Sequence, residues 1–221
     1  MKNVLSDRLE ALSQLGHPDR SNAALDALEF LSEVCERPDT LLEFLETRSA
    51  TDRLACEIDK DACKSTLWTS KNAESALRLH RFLGAGPDRP HNHRWPFASH
   101  LIRGSYRHTL FATETSIDHG VDIASIKPTL QHTVVAGSSY VLRSNLLHTV
   151  DADTNTLSLV FKWPSDRDRL LVIDREQQDS YWHYGSRHPE SRSNRYIRKM
   201  SEDEIVEEEN RIREILIRQD P

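Results

Sequence analysis

The 221-residue sequence has no apolar run approaching the ~18–20 residues that span a bilayer, so no helical membrane anchor is expected. Its start, MKNVLSDRLEALSQ, lacks the uninterrupted apolar stretch of a secretory signal. Cysteine is scarce: Cys35, Cys56 and Cys63 form an odd set at irregular spacing, without a C-x-x-C pair. That argues against a disulfide framework and for a reducing, cytoplasmic setting with three buried or idle thiols. No basic stripe is present and the formal net charge is −6, which weighs against nucleic acid as a partner. Repeats of solenoid period are absent as well. What remains is a polar globular chain, 37% hydrophobic and 29% charged, with enough apolar residues for a folded core.

The first fifty residues read as helical. Leu25, Leu28, Phe30, Leu31 and Val34 recur at three and four, with Ser21 or Asn22 as candidate caps, and Pro38-Asp39 restarts the chain ahead of Leu41–Leu45. Near Leu67 the pattern changes to short alternating runs: Leu77–Phe82, Ser99–Ile102, Tyr106–Ala112, Leu130–Val135, Tyr140–Leu142 and Leu157–Trp163. Such runs, spaced by turn residues, predict a sandwich or barrel. Ser201-Glu-Asp-Glu204 has capping-box form and opens a last helix through Ile217, with an acidic first turn and one apolar stripe. The expected division is a helical extension over 1–65, a β-barrel over 66–185 and a C-terminal extension over 186–221.

Within the barrel, PHNHRWPFASHLIRG places His91 and His93 one residue apart. On a strand, two such residues point the same way. A second segment, Gly137 to Trp163, brings His148 to the start of a later strand. Together the two segments resemble the paired motifs of the cupin superfamily. In G-x5-H-x-H-x3,4-E-x6-G, His91, His93 and Gly104 match, while Gly86 sits one residue too close. In G-x5-P-x-G-x2-H-x3-N, Gly137 and His148 match, Arg143 and Asn145 stand in for Pro and Gly, and Ala152 takes the Asn position. Where a Glu ligand is usual this chain has Phe97 or Ala98. The cupins that lack it include three-histidine dioxygenases similar to cysteine dioxygenase, although the Cys some of those crosslink to Tyr has no counterpart near Phe97. The resemblance implies a mainly β, double-stranded cupin barrel with helical extensions at both ends. It also implies a metal held by His91, His93 and His148.

Three neutral imidazoles bind Fe(II), Zn, Ni, Mn or Cu without cancelling the ion's charge, and leave coordination positions open. An uncompensated dication favours a small anionic chelator: a thiolate, carboxylate or enolate. Around the metal, Trp95 and Phe97 share strand parity with the His pair and are candidates for an apolar wall, subject to a bulge at Pro96. Tyr106 and His108 share a face on the next strand, and His132 lies on another; these three are the candidate catalytic groups. Tyr140 is a candidate hydroxyl donor. Arg78 or Arg81 is a candidate anchor for the anion, and their odd spacing lets only one face inward. His100 has the wrong parity and is expected outside. His17, His119, His183 and His188 are expected at the surface, Arg103 in solvent, and Arg167 and Arg169 in a salt-bridged loop. The run Tyr181–Gly185 is expected to close one barrel end or to make an oligomer contact, a homodimer being the simplest case.

The function these observations favour is a mononuclear non-haem Fe(II) dioxygenase that takes a small-molecule substrate and O₂. Two alternatives stand beside it: a non-redox metal cupin (isomerase, lyase or hydrolase), and a barrel that senses a small ligand without turning it over.

Overall fold

The computed structural model describes every residue except 1, 20–21, 114–116, 118–120, 186–188, 190–196 and 218–221. Ser21, His119 and His188 therefore lie outside the described residues. The chain is mainly β, with helices at both ends. Helices α1 (Lys2–Gln14), α2 (Ala23–Cys35), α3 (Pro38–Thr47) and α4 (Ala50–Leu54) come first, and α5 (Glu202–Ile217) comes last. Between them run β1 (Glu57–Ile58), β2 (Ala62–Thr69), β3 (Ala76–Phe82), β4 (Phe97–Arg103), β5 (Ser105–Ala112) and β6 (Lys127–Val135). They are followed by β7 (Ser139–Leu142), β8 (Leu147–Ala152), β9 (Leu157–Lys162), β10 (Arg169–Asp174), β11 (Asp179–Tyr184) and β12 (Arg198–Lys199). The strands overrun the expected 66–185 span, since β1 and β2 start earlier and β12 adds to the edge of the same sheet.

Seven strands pair in the order β12-β1-β2-β3-β9-β4-β7, three in the order β6-β5-β8, and β10 pairs with β11. The two larger sheets face each other. Leu101 and Phe82 of the first pack with Tyr106, Val134, Val150 and Ala152 of the second. Period-two alternation sorts the large sheet into an inner and an outer face. On β9, Leu157, Leu159 and Phe161 point out to the helices, joining Leu77, Leu79, Leu9, Phe30, Leu31, Leu41 and Ile212 in one fully buried cluster. Each such side chain contributes about 1.5–3 kcal/mol by leaving water. The alternate residues, Val160 on β9 and Phe97 on β4, turn inward with Leu142. This explains why the central strands read as nearly continuous apolar runs: both of their faces are covered.

Two turns carry the chain between the sheets. Gly104 sits between β4 and β5 at φ +81°, and a Cβ there would lie 2.6 Å from Thr156 Oγ1 and 3.2 Å from Thr156 Cα. Gly137 sits between β6 and β7 at φ +84°, its N–H bonded to the Leu101 carbonyl at 2.8 Å. Both are positions that only glycine occupies without strain. The capping box forms at α5: Ser201 N–H donates to Glu204 Oε2 (2.8 Å) and Glu204 N–H donates to Ser201 Oγ (3.3 Å). Asn22 starts α2 without a side-chain cap bond. Cys35, Cys56 and Cys63 are free thiols, the last two buried.

Candidate metal centre

His91 and His93 do not lie on a regular strand, which corrects the sequence expectation. His91 makes isolated bridges to His148 and to Val172, and β4 begins only at Phe97. The physical reason is the pair of prolines around it: Pro90 and Pro96 lack the N–H that a ladder needs. Other bonds fix the segment instead. His91 and His148 exchange backbone bonds of 3.0 and 2.9 Å, and His93 N–H donates to the Ser144 carbonyl at 3.2 Å. Asn92, fully buried, donates through Nδ2 to the same Ser144 carbonyl (2.9 Å) and accepts from Leu171 N–H (2.6 Å). By clamping the residue between them, Asn92 turns both histidines to one side without a strand.

His148 is the second residue of β8, buried and opposite Leu110 of β5. The three histidines meet there, each offering one nitrogen, and all three nitrogens lie within 4.8 Å of one another. His93 Nε2 and His148 Nε2 are 2.8 Å apart. Two nitrogens bound to one ion at ~2.1 Å lie ~3.0 Å apart at a right angle and ~3.4 Å apart at the tetrahedral angle. A few tenths of an ångström of spreading would therefore admit an ion. His91 Nδ1 faces the Arg89 carbonyl at 2.8 Å, which fixes the proton there and leaves Nε2 as the donor nitrogen. Burial lowers the pKa of all three rings, most strongly for His93 and His148, so they are neutral with lone pairs available. Asp88 Oδ2 stands 3.8 Å from His91 Nδ1, and burial raises that carboxyl's pKa well above the ordinary range. The donor set fits a divalent transition ion, and it carries no carboxylate.

Phe97 is buried edge-on to His93, with ring centroids 4.8 Å apart, and lies 6.2 Å from His148. Trp95 is half-buried and 6.2 Å from His93, with the Arg94 guanidinium (4.7 Å) and the Lys162 ammonium (4.3 Å) over its ring. Tyr106 O–H donates to Tyr140 Oη at 2.9 Å, and burial raises both phenol pKa values, so both remain protonated. His108 is buried, with its Nε2 2.9 Å from His148 Nδ1. His132 pairs across from His108 with centroids 5.2 Å apart, but it stands exposed on β6.

The two arginines face carboxylates elsewhere. Arg78 is in register with inward-facing Val160 and donates to Glu57 at 3.2 Å. Arg81 points out to α5 and grips Glu208, with Nε 2.9 Å from each carboxylate oxygen. His100 is off the inner face, yet it is buried rather than exposed, because the helical layer covers that side. His183 is not a surface residue: both its ring nitrogens are buried without a partner, and burial lowers its pKa to about 4. Arg103 donates to the Ile215 carbonyl at 3.1 Å rather than lying free in solvent. Arg169 lies on β10 rather than in a loop and stacks on Trp182 at 4.1 Å, and Tyr181–Tyr184 belong to β11, which pairs with β10. His17 is partly exposed, 3.2 Å from Asp166.

Asn92 escaped the sequence reading because alternation assigns it to the far side of the His pair. His80 escaped it too. It stands in register with Lys64 and Ser158 on the inner face, with Nε2 buried and unpartnered. Its alternation with Leu77 and Leu79 was the available signal.

No protein-family model matches the sequence, and no curated protein matches it. Among solved structures the chain is similar to an RmlC-like cupin from Shewanella frigidimarina NCIMB 400. That match has 17% identity, covers 55% of this chain and 94% of that one, and has a TM-score of 0.39. The chain is similar to other solved structures as well. One is Bacillus subtilis oxalate decarboxylase, studied for its Mn(II) centres (17% identity, 50% of this chain and 27% of that one, TM-score 0.37). Another is a hydroquinone 1,2-dioxygenase in complex with Cd2+ and 4-hydroxybenzonitrile (11%, 46% and 63%, 0.36). The chain spans nearly all of the first but about a quarter of the decarboxylase. Among the described residues, no helix is long and apolar enough to cross a membrane.

Proposed function

We propose that the chain is a mononuclear metal enzyme of cupin type, in which His91, His93 and His148 hold Fe(II) and a small anionic chelating metabolite reacts with O₂. The observation that carries this reading is the convergence of three neutral imidazoles, His148 buried and His91 and His93 half-buried, with no carboxylate among them. Bound there, Fe(II) supplies redox chemistry at open coordination positions that the imidazoles leave to a chelator and to O₂. The protein's own part is positional. Phe97 and Trp95 form a wall that keeps water from the His side of the barrel. Tyr140 Oη accepts from Tyr106 and also bonds to the Ser99 side chain, so it serves an oxygen or sulfur of the substrate by exchanging that second partner. Because no ligand cancels the metal's charge, the substrate does so, which selects thiolates, carboxylates or enolates over neutral molecules. Arg78, held on Glu57, serves this reading only by exchanging that partner for the substrate; Arg81, on the outer face, has no route to it.

The test is the metal content of purified protein beside His91→Ala, His93→Ala and His148→Ala. Near-stoichiometric iron, lost in all three variants, with oxygen uptake on a panel of thiols and carboxylates, supports the reading. Stoichiometric zinc or nickel with no oxygen uptake moves it to non-redox chemistry. Absence of metal after anaerobic Fe(II) loading removes the enzyme and leaves a ligand-binding barrel.

A further inference from the structure

We propose that His108 is the positioning residue of this centre: its Nε2 accepts a hydrogen bond from His148 Nδ1–H and so keeps His148 Nε2 directed at the ion. The inference rests on the metal reading above. It begins from the two nitrogens of one ring. A neutral imidazole that gives its Nε2 lone pair to an ion carries its proton on Nδ1. In a buried site that N–H needs an acceptor. The partner 2.9 Å from His148 Nδ1 is His108 Nε2, and His108 is 2% exposed.

What holds His108 is stiff. It lies in the middle of β5, in register with His132 of β6 on one side and Val150 of β8 on the other. The ring of Tyr140 stands 5.1 Å from it and that of Tyr106 6.3 Å. Its remaining nitrogen, Nδ1, is buried and has no partner among the described residues.

This arrangement gives the metal-free and metal-bound proteins opposite proton patterns. Without an ion, the pattern that strands no buried N–H has His108 Nε2–H donating to His148 Nδ1, 2.9 Å away, and His148 Nε2–H donating to His93 Nε2, 2.8 Å away. With an ion, His148 Nε2 binds it, so His148 holds its proton on Nδ1 and donates to His108. His108 then holds its proton on Nδ1, the nitrogen that lacks a partner. Each ring keeps one proton throughout, so both change tautomer and no net proton is released by this pair. His91 does not switch, because the Arg89 carbonyl already takes its Nδ1–H. His108 thus both supports the ligand and sets the work needed to load the site.

The experiment uses Zn(II), a diamagnetic probe, with the full chain. Histidine nitrogens are assigned by ¹⁵N NMR before and after loading, and affinity is measured against a chelating dye for wild type, His108→Gln and His108→Phe. Zinc is expected to move the His108 proton from Nε2 to Nδ1 and the His148 proton from Nε2 to Nδ1. His108→Phe, which offers no acceptor, is expected to weaken zinc binding by about 10- to 100-fold. His108→Gln, whose side-chain carbonyl can accept, is expected to stay within about threefold of wild type. A His108 proton found on Nε2 in the zinc-loaded protein overturns the inference without needing any variant to fold. Equal zinc affinity in wild type and a folded His108→Phe overturns it too. Failure of wild type to bind zinc, or His91→Ala binding as well as wild type, removes the metal reading itself.

Discussion

His80 offers the sharpest test of how the barrel interior is built. It faces inward from β3, in register with Lys64, and burial, together with Lys64 and Arg78, lowers its pKa from 6.5 to about 3. In the folded protein it is neutral; in the unfolded chain it is protonated below pH 6.5. The unfolded state therefore binds more protons as pH falls, and stability falls with it. His80's contribution is complete above pH 6.5 and is lost progressively down to about pH 3. Between pH 7 and pH 4.5 those two pKa values correspond to about 2.5 kcal/mol, at 1.36 kcal/mol per pKa unit. The perturbation is His80→Gln, which does not titrate. The assay is urea unfolding of metal-free wild type and variant in chelator at both pH values. The variant loses some packing at pH 7, but its loss on going to pH 4.5 is expected to be about 2–3 kcal/mol smaller than that of wild type. Parallel losses in the two proteins, within about 0.5 kcal/mol, would refute a neutral, desolvated imidazole at this position.

Two further substitutions probe the framework of the centre. Asn92→Leu removes both side-chain bonds that clamp the H-x-H segment, leaving the Leu171 N–H without its side-chain acceptor and the Ser144 carbonyl with only the His93 N–H, so chemical unfolding is expected to show a loss of about 2–4 kcal/mol. Zinc affinity, measured in the folded fraction, is expected to fall with it, and unchanged affinity would mean that other bonds orient His91 and His93. Gly104→Ala places a Cβ 2.6 Å from Thr156 Oγ1 and 3.2 Å from Thr156 Cα at φ +81°. A loss of about 1–3 kcal/mol is expected in thermal or urea unfolding, and a neutral result would show that the β4–β5 corner tolerates a side chain.

The sheet architecture could be read in the sequence because alternation is a local signal. Leu77, Leu79 and the run through Phe161 state which face meets the helices, whichever partner each strand later finds. Ser201 and Glu204 announce the start of α5 for the same reason: the cap involves only residues three apart. Sequence alone failed where geometry comes from contacts distant in the chain. The H-x-H segment has strand spacing but is held by Ser144 and Leu171, far away in sequence, with Pro90 and Pro96 preventing a ladder. The arginines could be sorted by parity, yet only the fold supplies Glu57 to Arg78 and Glu208 to Arg81. His183 looked solvated because its neighbours are aromatic and polar. Its ring nitrogens are buried on the β10–β11 ribbon near the charges of Arg94, Lys64 and Glu57, which come from distant parts of the chain that local pattern does not encode.

The missing carboxylate has an electrostatic consequence beyond substrate preference. A dication held by three neutral rings, two of them half-buried, would retain its full charge, and the carboxyl 3.8 Å from His91 is one whose burial favours its protonated form. Two adjustments lower the energy of such an ion: an anion arrives with the substrate, or Asp88 loses its proton when the metal binds. The first makes metal and substrate affinities mutually reinforcing, since each supplies charge the other lacks. The second makes metal binding release a proton and weaken as pH falls. Asp88 already accepts a hydrogen bond from Val150 N–H at 2.7 Å, which favours its ionised form and lowers the work of ionising it. The two routes separate by calorimetry: zinc binding measured in buffers of different ionisation enthalpy counts the protons released. No release in wild type, together with tighter zinc binding in the presence of a small thiolate or carboxylate, would leave the substrate as the group that completes the centre.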